Sequence, residues 1–134
     1  ANRGQVYAVD EHADAVDLIQ RNRDTLGCRN VRIVRGETMK AVKPLPAPDA
    51  VFVGTGAGSL REILGMLKEK NEHVRVVIAA DSLERLSEAQ MALSTHRYKH
   101  VEVSQLLLSR ARQLGKYNLM MAGETMFLLS AGRA

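Results

Sequence analysis

Cysteine is almost absent from this 134-residue sequence. The single Cys28 excludes an internal disulfide framework and a cysteine-based zinc cage. Tryptophan is missing and aromatics make up 4% of the chain, so a platform for stacking nucleic-acid bases has little to be built from. All three prolines fall within residues 44–48, which marks that stretch as a loop. No apolar run approaches the ~20 residues of a membrane-spanning helix. The start, Ala1-Asn2-Arg3-Gly4, shows no signal-peptide core. A cytoplasmic chain with neither nucleic-acid nor membrane partners is the expectation.

What is present suits one compact soluble domain over residues 1–134: 46% apolar and 25% charged residues, with a formal charge of +4. The excess of base favours acidic ligands such as polycarboxylates or phosphates. Its lysines and arginines are spread out, with no run of five.

Short β-type runs alternate with segments of helical period. Residues 5–9 form an apolar run closed by Asp10. Residues 13–26 carry Ala15, Val16, Leu18, Ile19 and Leu26 on one helical face, and Gly27 sits where a left-handed residue ends a helix. Residues 31–34 predict a second strand, followed by Gly36 and a short helical turn over 38–42. Residues 49–53 read as a strand buried on both faces. They lead through Gly54-Thr55-Gly56-Ala57-Gly58 to Ser59, an N-cap with Glu62 at capping-box spacing. Leu60, Ile63, Leu64 and Leu67 form that helix's stripe. Residues 74–80 predict a further strand, and Asp81 with Glu84 a second capping box before a helix striped by Leu83, Leu86, Ala89 and Leu93. Residues 101–109 and 119–130 read as an antiparallel pair of long β runs around Gly115, with Met120, Met121 and Met126 as core filler. The order predicts an α/β sheet, mostly parallel, with right-handed crossovers and a C-terminal antiparallel strand pair.

In open α/β sheets, ligands gather beyond the C-terminal ends of the parallel strands. Asp10 stands at one such end, where it either accepts ribose hydroxyls or caps the next helix. Gly36-Glu37-Thr38 stands at a second, where, taken alone, a turn glycine followed by a helix start is the favoured reading over a ligand contact. The glycine stretch 54–58 has the context of a phosphate cradle, with Asp81 placed like a ribose acid. It lacks the third glycine of the dinucleotide fingerprint and the lysine of a P-loop, so a plain tight turn is the competing reading. The histidines His12, His73, His96 and His100 form no metal set, and no metal is expected. Cys28 has no evident activating partner.

Several of these segments together resemble a known family. Residues 6–10, the Ala15-Val16-Asp17-Leu18-Ile19-Gln20-Arg21-Asn22 stretch, Gly27, Asn30-Val31 and Gly36-Glu37-Thr38 look like strand regions of class I S-adenosylmethionine methyltransferases. Leu45-Pro46-Ala47-Pro48-Asp49-Ala50-Val51-Phe52-Val53-Gly54-Thr55-Gly56 is similar, more particularly, to the precorrin-6Y C15-methyltransferase (decarboxylating) family of cobalamin biosynthesis. Leu83-Glu84, Ser109-Arg110-Ala111 and Leu114-Gly115 continue the likeness over nearly the whole chain. The resemblance implies a Rossmann-like class I methyltransferase sheet. It implies Asp10 on the ribose of S-adenosylmethionine, Gly36, Glu37 and Thr38 at its adenine end, and Gly54, Thr55 and Gly56 lining the donor and substrate crevice. The implied reaction moves a methyl group from sulfonium to a carbon of a tetrapyrrole (precorrin), coupled to loss of an acetate carboxyl. Such transfer depends on positioning, so no catalytic base is assigned. Arg110 and Arg112 are matched to the substrate's carboxylates, with solvated arginines as the alternative.

The sequence also departs from that family. The family has a strand and a glycine-rich turn ahead of the residue 6–10 strand, and this sequence begins after them. An N-terminally truncated sheet is expected, belonging to a fragment or to a degenerate relative. Lys70-Asn71-Glu72-His73 replaces a Pro-Gly-Gly, and Glu124-Thr125-Met126 an Asn-Pro-Val. Residues 1–134 alone are therefore expected to bind S-adenosylmethionine weakly or not detectably. The strand edges exposed by the gap predict a homo-oligomer. Two other functions fit the residues: a non-catalytic binding or assembly module of the same fold, and a nucleotide-binding oxidoreductase built on residues 54–58 and Asp81.

Overall fold

The computed structural model describes residues 4–132. Residues 1–3, the bulk of the segment read as lacking a signal-peptide core, lie outside it, as do Arg133 and Ala134. The chain forms two compact units, residues 1–46 and 47–134.

The first unit runs β1 (Val6–Asp10), α1 (Ala13–Leu26), β2 (Val31–Arg35) and α2 (Thr38–Val42). The strands are parallel, with Val6 opposite Val31 and Asp10 opposite Arg35. Gly27 ends α1 at φ 65, the left-handed region that a side chain would disfavour. The Gly27 and Cys28 amides then return to the Asp24 and Arg23 carbonyls. Two strands spaced ~4.8 Å apart make a narrower floor than a helix ~10–12 Å across can rest on. Ala15, Val16 and Ile19 are accordingly half-buried. Leu18 and Leu26, assigned above to the packed face, are 57% and 74% exposed.

The second unit runs β3 (Ala50–Val53), α3 (Leu60–Lys70), β4 (Arg75–Ala80), α4 (Leu83–Thr95), β5 (Glu102–Leu106), β6 (Ser109–Leu114), β7 (Tyr117–Ala122) and β8 (Met126–Ala131). Four of its strands form one sheet in the order β3-β4-β8-β5. β3 and β4 are parallel; β8 is antiparallel to both β4 and β5. β6 and β7 pair separately as an antiparallel hairpin about Gly115. The two long β runs expected from the sequence are thus four strands. Both runs break at one neck, where the Gly123 amide donates to the Leu108 carbonyl at 2.7 Å. A Cβ at position 123 would lie 2.8 Å from that oxygen, so the crossing needs glycine.

The core lies where the apolar stripes of the helices meet β4 and β8. Leu60, Ile63, Leu64 and Leu67 of α3 are buried with Ala89, Ala92 and Leu93 of α4, Val76 and Ile78 of β4, and Leu129 of β8. Gly65 allows close approach here, since a Cβ on it would fall 2.7 Å from the His96 ring. Tyr98 closes the cluster: its hydroxyl donates to the Leu64 carbonyl at 2.8 Å, and burial pushes its pKa up to about 12. Three expectations of burial fail. Phe52 is 66% exposed because β3 is an edge strand that buries Val53 alone. Leu83 is exposed because it opens α4 one residue past the cap, before the stripe reaches the sheet. Met120 and Met121 are exposed, as is every residue of β6 and β7: among the described residues of this unit no layer covers the hairpin.

Leu64→Ala should lower the unfolding free energy by ~2–5 kcal/mol, the scale for emptying a fully buried leucine site. Leu83→Ala should change it by less than about 0.5 kcal/mol, as an exposed substitution does. Urea titration of the two variants measures both.

Candidate functional site

Parallel pairing fixes which strand ends come together. In the first unit the Gly36 amide donates to the Asp10 carbonyl at 3.0 Å, so the chain leaving β2 is tied to the end of β1. That bond sets Asp10 beside Gly36-Glu37-Thr38. The Asp10 carboxylate accepts the His12 amide through Oδ1 at 2.9 Å and remains 40% exposed. The N-cap of α1 is His12, whose side chain makes no capping bond. Asp10 thus steadies the turn before the helix while keeping an exposed carboxylate. Glu37 is differently employed: it caps α2, with Oε1 accepting from the Met39 amide at 3.1 Å and Oε2 from Lys40 at 3.4 Å.

In the second unit, Gly54, Thr55 and Gly56 follow β3. A Cβ at 54 or 56 would meet no atom within 4 Å, so crowding does not call for glycine there, and the surface is open to a ligand. Gly58 alone in this stretch has a positive φ, +108. The phosphate-cradle reading of residues 54–58 gains nothing from this geometry. Ser59 caps α3 as expected, its Oγ accepting the Glu62 amide at 3.4 Å. The cap of α4 is Ser82, which accepts the Arg85 amide at 3.0 Å, in place of the Asp81–Glu84 box. Ser82 is the residue with extended backbone directly before Leu83, and only that position can reach the third helical amide.

Two residues that sequence reasoning missed stand behind this loop. Arg85 Nη1 donates to the Gly58 carbonyl at 2.7 Å and to Glu88 Oε2 at 3.0 Å. Glu88 Oε1 accepts the Leu60 amide at 3.1 Å. The opposite charges three residues apart on a capped helix were the available signal, but such pairs usually stay on the surface. Burial raises the Glu88 carboxyl, yet the Leu60 amide and the Arg85 guanidinium outweigh it and hold the pKa below the ordinary 4.5. Arg85 Nε and Nη2 are buried with no hydrogen-bond partner among the described residues. Such donors cost about 1–3 kcal/mol each.

Arg110 and Arg112 point to one face of the hairpin, opposite Met121 and Leu119. All four are exposed. Concavities of about 450 Å³ beside Gly27 and Val31, and about 390 Å³ between Lys68 and Lys99, lie at the N-terminal ends of β2 and β4, not at the ligand-bearing ends. Among the described residues no three His, Cys, Asp or Glu side chains gather as a metal site. No helix among them is long and apolar enough to cross a membrane.

The precorrin methyltransferase domain model matches residues 1–131. A probable cobalt-precorrin-6B C(15)-methyltransferase (decarboxylating) from Pyrobaculum calidifontis is 32% identical over 95% of the chain; the chain spans 65% of that relative's length. A precorrin-8w decarboxylase from Methanobacterium thermoautotrophicum superimposes with a TM-score of 0.86 at 28% identity, over 96% of this chain and 70% of that one. An S-adenosylmethionine-dependent O-methyltransferase from Thermotoga maritima shares the fold at 14% identity, with a TM-score of 0.74 over all of this chain and 52% of its own.

Because the folded Glu88 pKa lies below 4.5, its ionised form stabilises the folded state above that pH. The contribution fades as pH falls through the lower, folded value. In thermal melts, Glu88→Gln should therefore show a smaller acid-induced drop below pH 4.5 than the parent protein.

Proposed function

The chain belongs to the precorrin methyltransferase family, and from that membership we propose that it serves S-adenosylmethionine-dependent methylation of a precorrin carbon with loss of a carboxyl group, in cobalamin biosynthesis. The reading treats residues 1–134 as one methyltransferase-like domain working in the cytoplasm. The observation that carries it is the 3.0 Å bond from the Gly36 amide to the Asp10 carbonyl, which joins an exposed carboxylate to the Gly36-Glu37-Thr38 turn at one end of a parallel pair.

Asp10 accepts the ribose hydroxyls of the methyl donor through its exposed carboxylate. The backbone of Gly36, Glu37 and Thr38 borders the adenine, because the Glu37 side chain is engaged in its helix cap. The donor, when bound, supplies an electrophilic methyl group on its sulfonium. Gly54, Thr55 and Gly56, open at the C-terminal end of β3, are assigned to donor and substrate contacts. Orientation can supply most of the advantage in such a transfer, so no proton relay is required of this chain.

Arg110 and Arg112 meet substrate carboxylates. Both share a face with Leu114, Tyr117, Leu119 and Met121, a mixture suited to an apolar ring with an acidic periphery. A lone two-stranded hairpin with such a face is unstable in water unless covered. A second copy of the chain covers Leu119 and Met121 and leaves Arg110 and Arg112 at the border of the covered patch, open to substrate, making the protein a homo-oligomer.

Asp10→Ala in the intact protein should weaken S-adenosylmethionine binding by about 1–3 kcal/mol, measured by calorimetry. Unchanged affinity would move the donor site elsewhere. Leu119→Asp should shift the light-scattering mass to a smaller species; a parent protein that is already monomeric rules out the oligomer.

A further inference from the structure

We propose that Arg85 and Glu88 are positioning residues that hold the loop over residues 54–59 in its ligand-receiving conformation. The inference rests on the methyl-transfer reading of that loop. Packing does little to hold it: Thr55, Gly56, Gly58 and Ser59 are exposed, and the α-carbons of Gly54 and Gly56 face open space. Its shape is set from the far end. Arg85 Nη1 grips the Gly58 carbonyl at 2.7 Å, Glu88 Oε1 takes the Leu60 amide at 3.1 Å, and the two side chains bond to each other at 3.0 Å. α4 thereby fixes both the last turn of the loop and the first turn of α3. Gly58 presents its carbonyl to Arg85 from φ +108, a conformation that side chains rarely adopt.

Stability alone does not account for this arrangement. Arg85 is 13% exposed and keeps Nε and Nη2 buried without partners among the described residues, and apolar side chains of similar volume would fill such a place with less penalty. What a guanidinium adds is a rigid planar fork that holds a carbonyl and a carboxylate in fixed relation. The ammonium of lysine, a point charge on a flexible stem, does not reproduce it.

The test uses the intact protein with S-adenosylmethionine as the calorimetric probe, together with amide hydrogen exchange at residues 54–60. Arg85→Ala should speed exchange there, leave β4 protected, and weaken binding roughly tenfold, the scale of one lost hydrogen bond to a charged group. Arg85→Lys should recover little of the loss. Glu88→Gln, which keeps an acceptor for the Leu60 amide, should fall between, and it serves if Arg85→Ala does not fold. Leu93→Ala, buried on α4 away from the loop, should lower the melting temperature without changing affinity. Parent-like affinity in a folded Arg85→Ala protein overturns the positioning role, as does an equal loss of affinity in Leu93→Ala. If the parent protein binds no S-adenosylmethionine, the methyl-transfer reading fails by itself. Exchange at 54–60 then decides the clamp: faster in Arg85→Ala sustains it, unchanged removes it.

Discussion

A strand buried in the middle of a sheet must pair every backbone amide and carbonyl, and in residues 47–134 that constraint falls on β4. It is bonded to β3 on one side and β8 on the other, and Val76, Ile78, Ala79 and Ala80 along it are buried. The stripes of α3 and α4 have their apolar partners in this region, so strand pairing and helix packing reinforce each other. The loops that leave β3 and β4 at their C-terminal ends inherit this rigidity at their roots. Ser59 and Ser82 then start the helices at fixed places, and Arg85, in the first turn of α4, reaches the Gly58 carbonyl.

The first unit obeys the same rule with less material. Two parallel strands and two helices bury Ala41 but leave much apolar surface on α1 open. Their contribution is geometric: in parallel strands the C-terminal ends point the same way, so Asp10 and Gly36 must meet. One acidic residue at that meeting point keeps its carboxylate exposed while the next, Glu37, turns inward to its own helix amides. The difference in role follows from helix position. Glu37 is the N-cap of α2, whereas Asp10 precedes the N-cap of α1 by two residues.

Much of this was legible in the sequence, and for a common physical reason. Helix caps and turns are decided by atoms a few residues apart: the Gly27 terminus, the Ser59–Glu62 bond and the turn over 38–42 all follow from local spacing. Strand–helix alternation, with acids and glycines at the strand ends, fixed the fold class and the candidates Asp10 and Gly36-Glu37-Thr38. The stretch 45–56 carries the likeness to the family in its residues alone.

Tertiary structure alone decided the rest. Whether Phe52, Met120 or Met121 is covered depends on what lies over its strand, and composition does not say which strands are edges. The division of two β runs into β5, β6, β7 and β8 depends on a neck between Leu108 and Gly123, far apart in sequence. The same holds for the clamp behind the loop: Glu88 meets the Leu60 amide across 28 residues, and Arg85 meets Gly58 across 27. Local periodicity specifies elements and their ends. Contacts between elements arise only when the buried sheet brings distant segments side by side, and there the sequence alone is silent.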